Sequence, residues 1–143
     1  MFNPSRDEVR RFFIESWRKC RAKEVLTPLE HIAADLVQLH PEYQPLLEDP
    51  DSIDRDFSPE DGQVNPFLHL SLHLAIEEQL SIDQPPGLRA AFESCQNRHG
   101  SRHDALHDVL ESLGETLFDA QRNKAQPDGA AYVARVLKRA RAN

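Results

Sequence analysis

Glycine is scarce here, with five in 143 residues. A loop that cradles phosphate needs glycines close together. The chain has no P-loop, no Gly-rich dinucleotide turn and no GxSxG elbow. Cysteine is scarcer still. Cys20 and Cys95 form no CxxC, so no thiolate metal pattern is present, and two reduced thiols in a cytoplasmic chain are the expectation. There is no long apolar run and no basic, apolar leader, which argues against a membrane span or a membrane partner. No stretch alternates apolar and polar residues with period two, so strands are not expected. Whole-unit repeats and low-complexity tails are missing as well.

Proline, by contrast, is plentiful, and its placement is orderly. Asn3-Pro4, Thr27-Pro28, Ser58-Pro59 and Asn65-Pro66 each set proline behind a good N-cap residue. Proline suits the first helical position because its missing N–H would have no partner there. Thr27-Pro28-Leu29-Glu30 is a full capping box, and Ser101-Arg102-His103-Asp104 is a looser version. Pro127-Asp128 marks another start. These signals predict helices near 4–23, 28–39, 66–81, 86–98, 102–123 and 128–141, with a short helical turn after Ser58. Apolar spacing agrees. Leu29, Ile32, Ala33, Leu36 and Leu39 fall on one stripe, as do Leu106, Val109, Leu110, Leu113 and Leu117. The expectation is a single all-α domain over 1–143, a helical bundle of about five main helices around the apolar helix 66–81.

The formal charge of −7 is unevenly spread. Residues 1–23 carry seven Lys/Arg against three Asp/Glu, and residues 135–143 carry four cations and no acid. Segment 40–64, HPEYQPLLEDPDSIDRDFSPEDGQV, is acidic and irregular. Asp49, Asp51 and Glu60 match three positions of a calcium loop, but Asp54 stands where that loop turns on glycine. An acidic connection is the better reading.

The histidines are the chemical signal. Within NPFLHLSLHLAIEEQ (65–79), the chain's most apolar helix, His69 and His73 sit one turn apart and Glu77 continues their row. His103, His107 and Glu111 repeat the HxxxHxxxE spacing, and His99 would extend that row backwards. Seven histidines placed at random would give roughly 0.3 pairs at i,i+4; the chain has three. Two imidazoles so spaced can reach one cation, and a carboxylate a turn away can ligate or orient them. Two such helices facing each other would make a metal site inside a bundle. His69, His73, His103 and His107 are therefore the candidate ligands. Glu77 and Glu111 are candidate ligands, hydrogen-bonding partners of the ligands or a general base. The implied cofactor is a divalent transition metal: zinc, iron, manganese or nickel. In an enzyme, metal-activated water would be the chemistry; the spacing itself does not separate an enzyme from a binding protein. The pattern is neither HExxH nor Glu-x-x-His. The plainer alternative is four hydrogen-bonded structural histidines. His31 with Asp35, and His40 at the end of its helix, read as surface or capping groups.

Two further features compete. Cys20 among Arg18, Lys19 and Arg21 could have a lowered thiol pKa. The basic ends, Arg6, Arg10, Arg11, Arg18, Lys19 and Arg21 with Arg135, Lys138, Arg139 and Arg141, are either a face balancing the acidic middle or a docking surface. The second option makes the protein a non-enzymatic interaction module for RNA, the ribosome or an acidic protein.

NPFLHLSLHLAIEEQ, the following DQPPGLRAAFES, the opening MFNPSRDEVRRFF, HPEY at 40–43 and DFSPEDG at 56–62 together resemble a bacterial family known as domain-of-unknown-function family 1841. The resemblance spans nearly the whole chain. It implies a small bacterial, proteobacterial protein and brings no catalytic residue with it, so the metal expectation rests on spacing.

Overall fold

The computed structural model describes residues 6–55, 57 and 65–141. Among them are seven α-helices, two short 3-10 helices and no strand. The helices are α1 (Arg6–Arg21), α2 (Pro28–Gln38), α3 (Gln44–Leu47), α4 (Pro66–Ile82), α5 (Leu88–His99), α6 (Arg102–Asn123) and α7 (Gly129–Arg141). The 3-10 turns η1 (Pro41–Tyr43) and η2 (Pro50–Asp54) flank α3. The protein is all-α, as the proline and capping signals predict. Expected features at Asn3-Pro4, Ser58-Pro59 and Glu60 lie outside the described residues.

The helix starts follow the capping chemistry. Thr27 Oγ1 accepts the Glu30 N–H at 3.2 Å while Glu30 Oε1 accepts the Thr27 N–H at 2.9 Å, the reciprocal capping box. Asn65 Oδ1 caps α4 through the Leu68 N–H at 3.2 Å, Ser101 Oγ caps α6 through Asp104, and Asp128 Oδ1 caps α7 through Ala131. Gly100 ends α5 at φ +68, a left-handed conformation that glycine adopts without a Cβ clash.

The chain divides into two compact units, residues 1–74 and 75–143, with the division inside α4. In the first, α1 packs on α2, and the core gathers Phe13, Trp17, Ala33, Leu36, Val37, Leu47, Phe67 and Leu70. Arg10 is buried beside them. Its Nη1 donates to the carbonyls of Ser52 (3.4 Å), Ile53 (2.8 Å) and Arg55 (2.7 Å), and its guanidinium lies 5.0 Å from the Phe67 ring centroid. A buried cation is tolerable only with such partners. Segment 41–54, expected as an irregular acidic connection, is instead wound into η1, α3 and η2. Each starts with proline at its first or second position, and Arg10 ties down the end of the last.

In the second unit α5 packs on α6 and α7, and α6 on α7. Leu88, Ala91, Phe92, Cys95, Ala105, Leu106, Val109, Leu113, Tyr132 and Val136 are buried. Tyr132 donates its hydroxyl to Gln79 Oε1 at 2.8 Å. The expected stripes hold at their centres, with Ala33, Leu36, Leu106, Val109 and Leu113 buried, and fail at their ends. Leu29, Leu39, Leu68 and Leu117 are exposed, whereas Ala34, Val37, Phe67, Leu70 and His73 are buried. On α4, apolar nearly all round, composition cannot select the buried side. No described helix is long and apolar enough to cross a membrane.

Candidate metal centre

The first unit gathers three imidazoles. His69 and His73 project from α4 one turn apart, and their Nε2 atoms lie 3.2 Å from each other. The third is His40, at the junction of α2 and η1. Its ring centroid is 5.0 Å from that of His69 and 5.1 Å from that of His73. One ligand nitrogen from each of the three lies within 4.8 Å of the others. His40 and His73 are almost fully buried, and His69 is half-buried.

His40 reaches this place because α2 ends there. Its N–H bonds the Val37 carbonyl at 3.0 Å, and its ring Nδ1 lies 2.7 Å from the Leu36 carbonyl. A carbonyl can only accept, so Nδ1 carries the proton and donates, leaving the lone pair of the neutral ring on Nε2. This is the outer hydrogen bond that metal-binding histidines usually make. The helix-end role expected for His40 is present, together with a cluster role that its sequence neighbours do not signal.

The 3.2 Å separation of the His69 and His73 nitrogens suits a shared ion. Two nitrogens about 2.0–2.1 Å from a tetrahedral ion lie about 3.3 Å apart, and cis octahedral ligands a little closer. Without an ion the same spacing is an N–H···N hydrogen bond, one Nε2–H donating to the other ring. This histidine cluster could hold a metal ion.

The other expected ligands have defined surroundings. Glu77 accepts both Arg102 Nη1 and Nη2 at 2.9 Å, a bidentate pair that raises the Arg102 pKa. Glu111 lies 3.4 Å from Arg139 Nε. The His103 ring packs edge-on to His107 at 4.3 Å, and His107 Nδ1 lies 3.0 Å from the His103 carbonyl, fixing its Nε2 as the lone-pair nitrogen. His99 turns to Asp108 at 2.6 Å, and His31 pairs with Asp35 on the surface at 3.2 Å.

Cations of the basic ends are engaged within their own units. Arg18 binds Glu15 and Glu24 and lowers both carboxyl pKa values, Lys19 binds Glu30, and Arg21 meets Glu48. Arg135 bonds Asp119 and donates to Thr116 Oγ1, while Arg139 bonds Glu115 and donates to Ser112 Oγ. Arg135 and Arg139 of α7 thus lie along acids and hydroxyls of α6. The Cys95 thiol is buried and donates to the Val136 carbonyl at 3.5 Å, and desolvation pushes its pKa up to about 11. Cys20, half-buried, lies 3.9 Å from Gln38 Nε2.

Fold and site together define an all-helical protein with a histidine cluster suited to a metal ion. The family model described as Domain of unknown function (DUF1841) matches residues 5–138, and the chain belongs to that family. Neither the comparison with curated proteins nor that with solved structures gave a match.

Proposed function

We propose that this protein is a metal-binding helical protein whose ligands are the three imidazoles of the first unit, His40, His69 and His73. The observation that carries this reading is the convergence of His40 with the HxxxH pair of α4, two of the three rings being buried. Packing three imidazoles side by side, two of them buried, is not a way to stabilise a core. Each ring keeps polar nitrogens that must be satisfied, and a shared cation satisfies several lone pairs at once.

The donor chemistry narrows the metal. Among the described residues the group contains imidazoles and neither carboxylate nor thiolate. Imidazole favours zinc, iron, nickel or copper, whereas manganese, magnesium and calcium favour oxygen. Zinc, iron and nickel therefore stand ahead of manganese. Glu77 and Glu111 are assigned to their arginine partners instead of the ion, and His103 and His107 pack on each other in the second unit.

Elemental analysis of protein purified without a histidine tag tests the reading. About one equivalent of a late divalent metal is expected, lost in a His69→Ala/His73→Ala variant that stays folded. Metal-free protein that also takes up no zinc or cobalt at a modest excess overturns it.

A further inference from the structure

HPEY, residues 40–43, contributes one ligand to this site, and its last residue has no role in the reading above. Pro41 opens η1 directly after His40, and the Tyr43 N–H donates to the His40 carbonyl at 2.9 Å, closing a tight turn. That turn brings the Tyr43 ring back over the imidazole it follows. The two rings are parallel, 3° apart in tilt, with centroids 5.3 Å apart. Tyr43 also meets His69, edge-on, at 5.8 Å and 73°. One aromatic ring thus packs against two of the proposed ligands.

We propose that Tyr43 is a positioning residue for the metal centre: its ring sets the planes of His40 and His69 around the ion. The inference rests on the metal-binding reading and goes beyond it by assigning HPEY as a ligand-presenting turn. The Leu36 carbonyl holds His40 by one edge atom, which fixes where that edge lies and leaves rotation about the contact. A parallel ring against the imidazole face removes that freedom. The edge contact with His69 limits the swing of the second ring toward the same side. Ligand geometry matters at this scale, because a site needs its ligands held to about 10–20°. A ring acting by packing is replaceable by another flat ring and not by an aliphatic side chain of similar volume.

Cobalt(II) titration followed by visible absorption tests the assignment on the full chain, comparing unaltered protein with Tyr43→Phe and Tyr43→Leu. Tyr43→Phe is expected to keep the ligand-field spectrum and an affinity within about two-fold. Tyr43→Leu is expected to shift that spectrum and weaken binding by about ten-fold or more, the loss typical when a group that orients a ligand is removed. Unchanged spectrum and affinity in Tyr43→Leu overturn the positioning role while leaving the metal site standing. An equal loss in Tyr43→Phe overturns the claim that the ring acts without its hydroxyl. No cobalt binding by unaltered protein overturns the metal-binding reading and this assignment with it.

Should Tyr43→Leu fail to fold, a second measurement needs no such substitution. The chain has two tyrosines, Tyr43 and Tyr132. With 3-fluorotyrosine incorporated, the Tyr43 fluorine resonance, identified by its absence in Tyr43→Phe, is expected to shift strongly when cobalt(II) is added. A Tyr43 resonance that stays in place at full loading overturns the proposal.

Discussion

His69 Nε2 and His73 Nε2 face each other at 3.2 Å across one turn of α4. That spacing is close to the edge of a tetrahedral nitrogen site, about 3.3 Å, so an ion entering there needs little movement of either ring. Binding should therefore stabilise the fold by mass action. At a free zinc concentration one hundred times the dissociation constant, the gain is about 2.7 kcal/mol. For a chain of this length that is a rise in Tm of roughly 5–10 °C. Zinc and nickel should produce it and magnesium should not, since neutral imidazole is a poor ligand for hard cations. Differential scanning calorimetry of unaltered protein and of His69→Ala/His73→Ala checks this. Equal responses to zinc in the two proteins would show that the pair is not the site.

Arg10 offers a test of the first unit that needs no metal. Three carbonyls share its guanidinium, and all three belong to the η2 segment and its C-cap. Replacing it with methionine keeps an unbranched apolar stem, removes the guanidinium from the Phe57 and Phe67 rings and leaves those carbonyls without the donor. Losing hydrogen bonds to a charged group costs about 1.5–3 kcal/mol each at most, with partial recovery by water. A loss of about 3 kcal/mol in urea unfolding is expected for Arg10→Met. Faster amide exchange confined to 50–55 should accompany it. A variant as stable as the parent would mean that these carbonyls find water as readily as they find the arginine.

Much of the fold was legible because helix starts have local chemistry. Thr27-Pro28-Leu29-Glu30 names its own structure, and so does Asn65-Pro66. The histidine cluster was legible in part. His69 and His73 announce themselves by spacing, but His40 joins them from a distant helix end, and no local pattern predicts that meeting. Its carbonyl-bonded Nδ1 shows why it reads as a capping residue: it is one, and its ring also packs against His69 and His73. Glu77 and Glu111 pair with arginines that the spacing does not reveal. Helical spacing places them in the histidine rows, yet the partner is chosen by what stands opposite, and Arg102 and Arg139 stand there. The prolines at 41, 45 and 50 did carry a signal for the short helices after α2, one that the acidic composition obscured.

Glu30 should make stability depend on pH in a defined direction. The Thr27 backbone N–H, and then Lys19, hold its carboxyl below its ordinary value of 4.5. A carboxyl depressed in the folded state adds stability that is fully present above its unfolded pKa and is lost as pH falls through the folded one. Glu30→Gln keeps an acceptor for the capping box and removes the ion pair with Lys19. The parent should therefore melt at a higher temperature than the variant near neutral pH, and the gap should close as pH drops below 4.5. A gap that stays constant down to acid pH would assign the effect to packing instead of charge.

The two thiols should differ in reactivity by more than their sequence surroundings suggest. Cys20 sits among three cations, and Cys95 does not, yet burial decides more than neighbouring charge. Cys95 is fully buried, its thiol donates to the Val136 carbonyl, and desolvation raises its pKa to about 11. Since the thiolate is the nucleophile, little of Cys95 is reactive near pH 8. Iodoacetamide on the folded protein should label Cys20 and leave Cys95 unmodified, as peptide mass spectrometry would show. After denaturation both should react. Because Cys95 lies between α5 and α7 with Val136, its labelling would report opening of the second unit. Adding denaturant should therefore raise Cys95 labelling in step with the loss of helicity, and labelling of Cys95 without denaturant would mean that α5 and α7 separate in the native protein.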